Sequence, residues 1–399
     1  MLLTKSAEQS AKRLRKIIVM LTLLALSLAR GVTPASAQEE LDVPLPSDDT
    51  SILCTPRIQL RHSAQCTSDG PASQLAEYAR KGVFPSDPLP ADNVNNSLSY
   101  IPYNYLSVTR KGINVYPSVQ SALNSSNPSR SLGRGFIYVS WIDRFEENGG
   151  IVYQIGPGEY IRGDNVSRIS TPSFLGLTFT QTPDRPFGWI MRGGNSYIAP
   201  GFDQQQTSNT YYRFEIVHVY DAVTVGDNEW YMIAPGEWID QRNIAMVTPD
   251  TARPKGVEED RWISVNLFEQ TMTAYENGEL VFATAIASGL RGWWTQPGLF
   301  QVYVKLDKTN MSGSFEADRS DYYYLEDVPW VLYYDQARAI HGTYWHNNYG
   351  YQQSHGCVNL SPADAQWIFD WAEKGTYIHV WDPSNITPTD PAVYGYGGA

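Results

Sequence analysis

The sequence predicts a mainly β protein of several domains. Short aromatic and β-branched runs, such as Phe136-Ile137-Tyr138-Val139-Ser140-Trp141 and Phe214-Glu215-Ile216-Val217-His218-Val219-Tyr220, alternate with Gly, Pro and Asn. An Asn277-Gly278 pair sits between two alternating runs, which is a strong hairpin signal. Only the segment after Ser361 carries a well-marked helical signature. At 399 residues with 13% aromatics, the chain can build sizeable cores, which excludes a single small module and disorder throughout.

In chain order, residues 1–37 read as a signal peptide. Lys5, Lys12, Arg13, Arg15 and Lys16 precede the apolar run Ile17 to Ala29, and Ala35-Ser36-Ala37 matches a small-residue cleavage site. The run falls short of the ~20 residues of a membrane helix, so cleavage is favoured over retention as an anchor, and no membrane span is expected afterwards. The expected location is extracytoplasmic, in the cell wall or envelope. The full chain has 30 Lys+Arg against 42 Asp+Glu, a net charge of −12. Cleavage removes six basic residues and one acidic one, leaving 24 against 41, about −17. That sign is wrong for nucleic acid, and contact with anionic envelope polymers has to be local and shape-specific.

Residues 38–100 are poor in periodic apolar runs and punctuated by Pro44, Pro46, Pro85, Pro88 and Pro90, so they read as a linker. Within it, Cys54 and Cys66 are expected to form a disulfide closing a small loop. The third cysteine, Cys357, is left unpaired, and a free thiol in an oxidising compartment needs a chemical reason.

Residues 101–248 hold an internal echo. Val152-Tyr153-Gln154-Ile155-Gly156-Pro157-Gly158-Glu159-Tyr160-Ile161 is answered 78 positions later by Trp230-Tyr231-Met232-Ile233-Ala234-Pro235-Gly236-Glu237-Trp238-Ile239. Two small β-barrels, 101–171 and 172–248, are the expectation; one larger β domain with two similar hairpins is the alternative. The shared strand, Pro-Gly turn and strand resemble bacterial SH3-like modules. A third region, 260–382, opens with Trp262-Ile263-Ser264-Val265-Asn266-Leu267 and continues through the Asn277-Gly278 hairpin. Its helix has Ser361 as N-cap, Pro362 at the first position and Asp364 completing a capping box, with Gly375 available to end it. Residues 383–399 read as a flexible tail.

Candidate chemistry concentrates in His341-Gly342-Thr343-Tyr344-Trp345-His346 and Ser354-His355-Gly356-Cys357-Val358-Asn359. A thiol near its ordinary pKa of about 8.5 is mostly protonated at neutral pH, so a nucleophilic cysteine needs an imidazole beside it. His341 can supply one. His355 lies two residues before the thiol, and Gly356 permits a tight turn that can aim amides 356 and 357 at a developing oxyanion. Ser354 and Asn359 are suited to holding the turn, and Asn359 to reaching substrate. Tyr344, Trp345 and Tyr322-Tyr323-Tyr324 are candidate walls of a groove, with a core role as the alternative. A zinc site built on His341, His346, His355 and Cys357 is a rival, disfavoured because no carboxylate lies between Asp335 and Asp364 to act as general base.

The Ser-His-Gly-Cys-Val-Asn string with an upstream His-Gly resembles the signature of the L,D-transpeptidase (YkuD-like) catalytic domain, over residues 262–381. Asn266-Leu267, Ser288-Gly289, Thr295-Gln296-Pro297-Gly298-Leu299-Phe300 and Val328-Pro329-Trp330 add to the likeness. Gln296, where the family more usually has Pro, and Gly342, where some members have Ser, are departures. The resemblance implies a β-sandwich-like catalytic domain with short helices, Cys357 as nucleophile, His341 as proton acceptor, and His355 and Gly356 as support. It further implies acyl transfer between peptidoglycan stem peptides: Cys357 forms a thioester with loss of D-Ala, and an amine of a neighbouring stem resolves it into a 3→3 cross-link. No metal or cofactor is required, and carbapenem-type inhibitors are expected to acylate the thiol. The alternatives are hydrolysis of the same thioester, making an L,D-carboxypeptidase, and a non-catalytic wall-binding protein.

Overall fold

The computed structural model describes residues 77–83, 88–109, 112–314, 316 and 318–394. The expected signal peptide, the Cys54–Cys66 pairing and the last residues of the tail lie outside the described residues. The protein is mainly β, and its largest core lies between two sheets. One sheet runs in the order Ala91–Asn93, Leu177–Phe179, Glu279–Ala285, Thr271–Glu276, Arg261–Asn266, Tyr377–Trp381, Gly298–Gln301. The other runs Val358–Leu360, Arg338–Gly342, Tyr323–Asp335, Phe136–Trp141, Asn104–Val108, Val166–Arg168, with Val304–Gly313 also paired to Tyr323–Asp335. Alternate residues of each strand face inward. Ile263, Val265 and Phe282 of the first sheet thus meet Leu332, Ile340 and Val358 of the second, with Ala365 and Ile368 of the Pro362–Trp371 helix. Full burial of each large aliphatic side chain here contributes about 1.5–3 kcal/mol.

Local signals behave as their chemistry requires. Asn277 and Gly278 take φ of 53° and 81°, the paired left-handed conformation that a two-residue hairpin turn demands. Ser361 Oγ accepts the Asp364 N–H at 3.2 Å, and Pro362 occupies the first turn. Asp364 departs from the expected capping box. Its carboxylate accepts from Gly176 N at 2.8 Å and Thr284 Oγ1 at 2.7 Å, so it ties the helix to two distant segments.

The repeat is visible in three dimensions. Gly150–Gly156 and Glu159–Arg162 pair with a register shift between Gln154 and Gly156; Asn228–Ala234 and Glu237–Asp240 pair with the same shift between Met232 and Ala234. Each is followed by a 3-10 turn, Gly163–Asn165 or Gln241–Asn243, and a further strand. That last strand joins a three-strand set in the same order: Phe136–Trp141, Asn104–Val108, Val166–Arg168 in the first unit, and Ile216–His218, Phe187–Ile190, Ile244–Val247 in the second.

The expected boundaries need correction. Phe136-Ile137-Tyr138 pairs in parallel with Tyr323-Tyr324-Leu325, so the first β unit shares a continuous sheet with the C-terminal region. Within the expected linker, Ala91–Asn93 pairs with Leu177–Phe179, which pairs with Glu279–Ala285, and Val94 and Leu98 pack into the main core. Too few apolar residues lie in that stretch to mark it as core, because the partner strands supply the rest. The expected flexible tail is packed through residue 394: Tyr394 is buried, its carbonyl accepts from Arg338 at 3.0 Å, and its ring lies under that guanidinium. Among the described residues no helix is long and apolar enough to cross a membrane.

Candidate active site

Cys357 immediately precedes strand Val358–Leu360, which pairs in parallel with Arg338–Gly342. The register sets Ile340 beside Val358 and His341 beside Asn359. Val358 and Ile340 point into the core, so Cys357, His341 and Asn359 leave the opposite face. The Ala339 amide reaches Cys357 Sγ at 3.4 Å, which places the sulfur two residues along the neighbouring strand from His341. All three side chains line one cavity of about 640 Å³.

The imidazole has a defined orientation. His341 Nδ1 lies 3.1 Å from the Gly342 carbonyl. A carbonyl only accepts, so Nδ1 carries the proton and Nε2 keeps the lone pair that can take a thiol proton. The space explains the glycine: a Cβ there would sit 3.1 Å from Pro329 Cγ and 3.2 Å from Ala365 Cβ. Burial pushes the Cys357 thiol up to about 11, partly offset by the Ala339 amide and the Arg338 charge. It holds His341 down to about 4. The resting pair is thus a neutral thiol and a neutral base.

The turn before the cysteine is clamped from two sides. Ser354 Oγ donates to the Cys357 carbonyl at 2.6 Å and accepts the Gly356 N–H at 3.1 Å. The Gly356 amide, expected to face an oxyanion, is therefore committed to Ser354. Gly356 has a φ of +119°, which favours glycine, and its carbonyl accepts from Thr295 Oγ1 at 2.9 Å. Thr295 Oγ1 in turn accepts the Gly289 N–H at 2.9 Å, and Ser288 O accepts the amides of Gln353 and Ser354. Ser288, Gly289 and Thr295 of the family-like segments thus brace the motif. Gln296 is buried beside them.

The remaining candidates divide. His355 lines the cavity, its ring 4.1 Å from Trp293 and 5.0 Å from Tyr323 between centroids, and burial lowers its pKa. Trp345, Tyr322 and Tyr323 also line the cavity. Tyr344 does not. It is 1% exposed, stacks on Tyr105 at 3.5 Å between centroids and donates to the Glu326 carbonyl at 2.6 Å, so it is a core residue. His346 also stays off the lining and meets Asn359, Nε2 to Nδ2 at 2.9 Å. Among the described residues no group of three His, Cys, Asp or Glu side chains is placed to hold a metal ion.

Three parts of the cavity went unread in the sequence. Trp293 supplies one wall, and residues 318–321 another. Arg134, Gly135 and Phe136 arrive from the first β unit through the parallel pairing of Phe136 with Tyr323. Only that long-range pairing could have revealed them, because residues 134–136 carry no local chemical motif.

Residues 260–380 match the L,D-transpeptidase catalytic domain family. The chain is 30% identical to L,D-transpeptidase 1 of Mycobacterium tuberculosis over 177 residues, 39% of this chain and 67% of that protein. It is 27% identical to L,D-transpeptidase 2 of the same species over 138 residues, 32% of each, and so spans about a third of that relative's length. Among solved structures, it is 31% identical to the catalytic domain of an Enterococcus faecium L,D-transpeptidase, also seen acylated by ertapenem, over 32% of this chain and 100% of that one, with TM-scores of 0.28 and 0.29. The family match covers the cysteine, the histidine and the braces around them, and the 30% identity extends over two thirds of a known member: the chain belongs to the L,D-transpeptidase family.

Proposed function

We propose that this protein is an exported L,D-transpeptidase that joins peptidoglycan stem peptides through a thioester on Cys357. The observation that carries the reading is one cavity lined by both the Cys357 thiol and the His341 imidazole, whose Nδ1 is occupied by a carbonyl, leaving Nε2 as the base. His341 accepts the thiol proton as Sγ attacks the carbonyl of the third stem residue, a diamino acid, and returns it to the departing D-Ala amine. An amine of a neighbouring stem then attacks the thioester, passing its proton to His341 and restoring the thiol. The product is a 3→3 cross-link. The run Ile17 to Ala29 with its basic flank and Ala35-Ser36-Ala37 supports export. The two repeated β units, read as SH3-like modules, would present the enzyme to the wall.

The test is mass spectrometry of disaccharide-tetrapeptide incubated with the mature protein beside Cys357→Ala. A dimer lacking one D-Ala, absent with the variant, is the expected result. Tripeptide alone means that water resolves the thioester and the enzyme is an L,D-carboxypeptidase; turnover by the variant removes Cys357 from the mechanism. A carbapenem should add its mass to the wild type and leave the variant unmodified.

A further inference from the structure

One polar atom of the motif is stranded by the hydrogen-bond pattern. Asn359 is 3% exposed, and its Oδ1 has no hydrogen-bond partner among the described residues, while its Nδ2 lies 2.9 Å from His346 Nε2. The other ring nitrogen, His346 Nδ1, accepts the Asn348 N–H at 3.1 Å. A nitrogen that accepts from an amide carries no proton, so the neutral ring has its proton on Nε2. In that tautomer Nε2–H and the Asn359 NH2 face each other as two donors. Moving the proton to Nδ1 transfers the conflict to the Asn348 amide, and protonating both nitrogens creates both conflicts. Burial, with the nearby His341, also holds His346 down to about 3, so the ring is neutral.

The oxygen and nitrogen of a carboxamide are nearly isosteric, and which is which follows from the network around them. Turning the Asn359 amide by half a revolution removes the donor–donor conflict: His346 Nε2–H donates to Oδ1, Nδ1 still accepts from Asn348, and the NH2 takes the place of the oxygen that had no partner. Asn359 is the register partner of His341 on the adjacent parallel strand and lines the cavity with it and Cys357, whereas His346 does not line it.

We infer that His346 is a positioning residue, which holds the Asn359 carboxamide with its NH2 toward the cavity as a preset donor for a carbonyl oxygen of the acyl donor at Cys357. A donor fixed before the reaction needs no reorganisation when charge develops on that oxygen. The inference rests on the acyl-transfer reading for its use, but the hydrogen-bond arrangement stands apart from it. His341 and His346, five residues apart, are locked in opposite tautomers by opposite partners: a carbonyl on Nδ1 of the first, an amide N–H on Nδ1 of the second.

Selective 15N labelling of the six histidines reads the tautomers directly in the full-length mature protein. His346 should be Nε2-protonated and His341 Nδ1-protonated, assigned by loss of each signal in its variant. A His346 proton on Nδ1 overturns the inference whatever the substrate is. The second measurement is single-turnover acylation of Cys357 by a carbapenem in His346→Phe, which lacks the donor, and His346→Gln, whose amide can restore it. The Phe variant should be about tenfold slower and the Gln variant within about threefold of wild type, the scale of one oriented hydrogen bond. Alkylation by iodoacetamide, which needs the thiol but no carbonyl donor, should change less than about twofold in either. An equal fall in alkylation, or no recovery with Gln, overturns the inference. So does a further full loss when His346→Phe is added to Asn359→Ala, since a residue acting through Asn359 has nothing to add once that amide is gone. Tautomers as stated in a wild type that no carbapenem acylates and no stem peptide engages would instead sink the acyl-transfer reading.

Discussion

At the scale of single residues, burial sets the protonation states on which the proposed chemistry depends. An imidazole held at about 4 stays in its base form across the neutral range. The rate of Cys357 acylation should therefore be level between about pH 5 and 8 and lack the step near 6.5 of an ordinary histidine. An inflection at 6 to 7 that disappears in His341→Gln would show that the ring titrates as an exposed one. The same shift affects stability. The unfolded histidine gains its proton below about 6.5 while the folded one resists until about 4, so His341 destabilises the native state as pH falls through that window. Rates at the acid end are thus best read beside the folded fraction from circular dichroism. Gly342 and Asn348 show how much of a site can lie in backbone groups whose side chains do no chemistry: the Gly342 carbonyl orients one ring, and the Asn348 N–H sets the other.

At the scale of elements, the Pro362–Trp371 helix connects the motif strand to both sheets. Its start is marked locally by Ser361 and Pro362, and its inward face is anchored by Asp364 on Gly176 and Thr284. Ser361→Ala should lower stability by about 1 kcal/mol, the usual cost of losing an N-cap oxygen, read as a shift in the denaturant midpoint with an unchanged slope. A change under a few tenths would mean that Asp364 alone holds the helix start. Capping, the Asn277-Gly278 hairpin and the echoed Pro-Gly turns were all legible because each depends on neighbours within a few residues. Asp364 was misassigned because its two partners lie 188 and 80 positions away.

At the scale of the whole molecule, the β units are built into the C-terminal region. The first lends it a strand and three cavity residues. The second docks on it through a buried carboxyl: Glu269 accepts Tyr231 OH at 2.9 Å and Met246 N at 3.1 Å, and desolvation pushes it up to about 7. Tyr231→Phe removes one donor and leaves Glu269 under-satisfied, at an expected cost of about 1–3 kcal/mol. Calorimetry of the variant should give a lower unfolding midpoint, and an unchanged one would show that this contact does not secure the seam.

The mainly β character, the echoed hairpins, the helix with its N-cap, and the residues around a thiol and an imidazole were legible in the chain before any fold was known. Period-two alternation, turn residues and a compact motif are local properties of the chain. That Phe136 borders the cavity, that Tyr344 belongs to the core, that the Gly356 amide is already engaged, and that burial favours the neutral thiol and imidazole emerge from the assembled fold. Strand pairing between distant segments and the desolvation it produces depend on the assembled molecule, and no short stretch of sequence contains them.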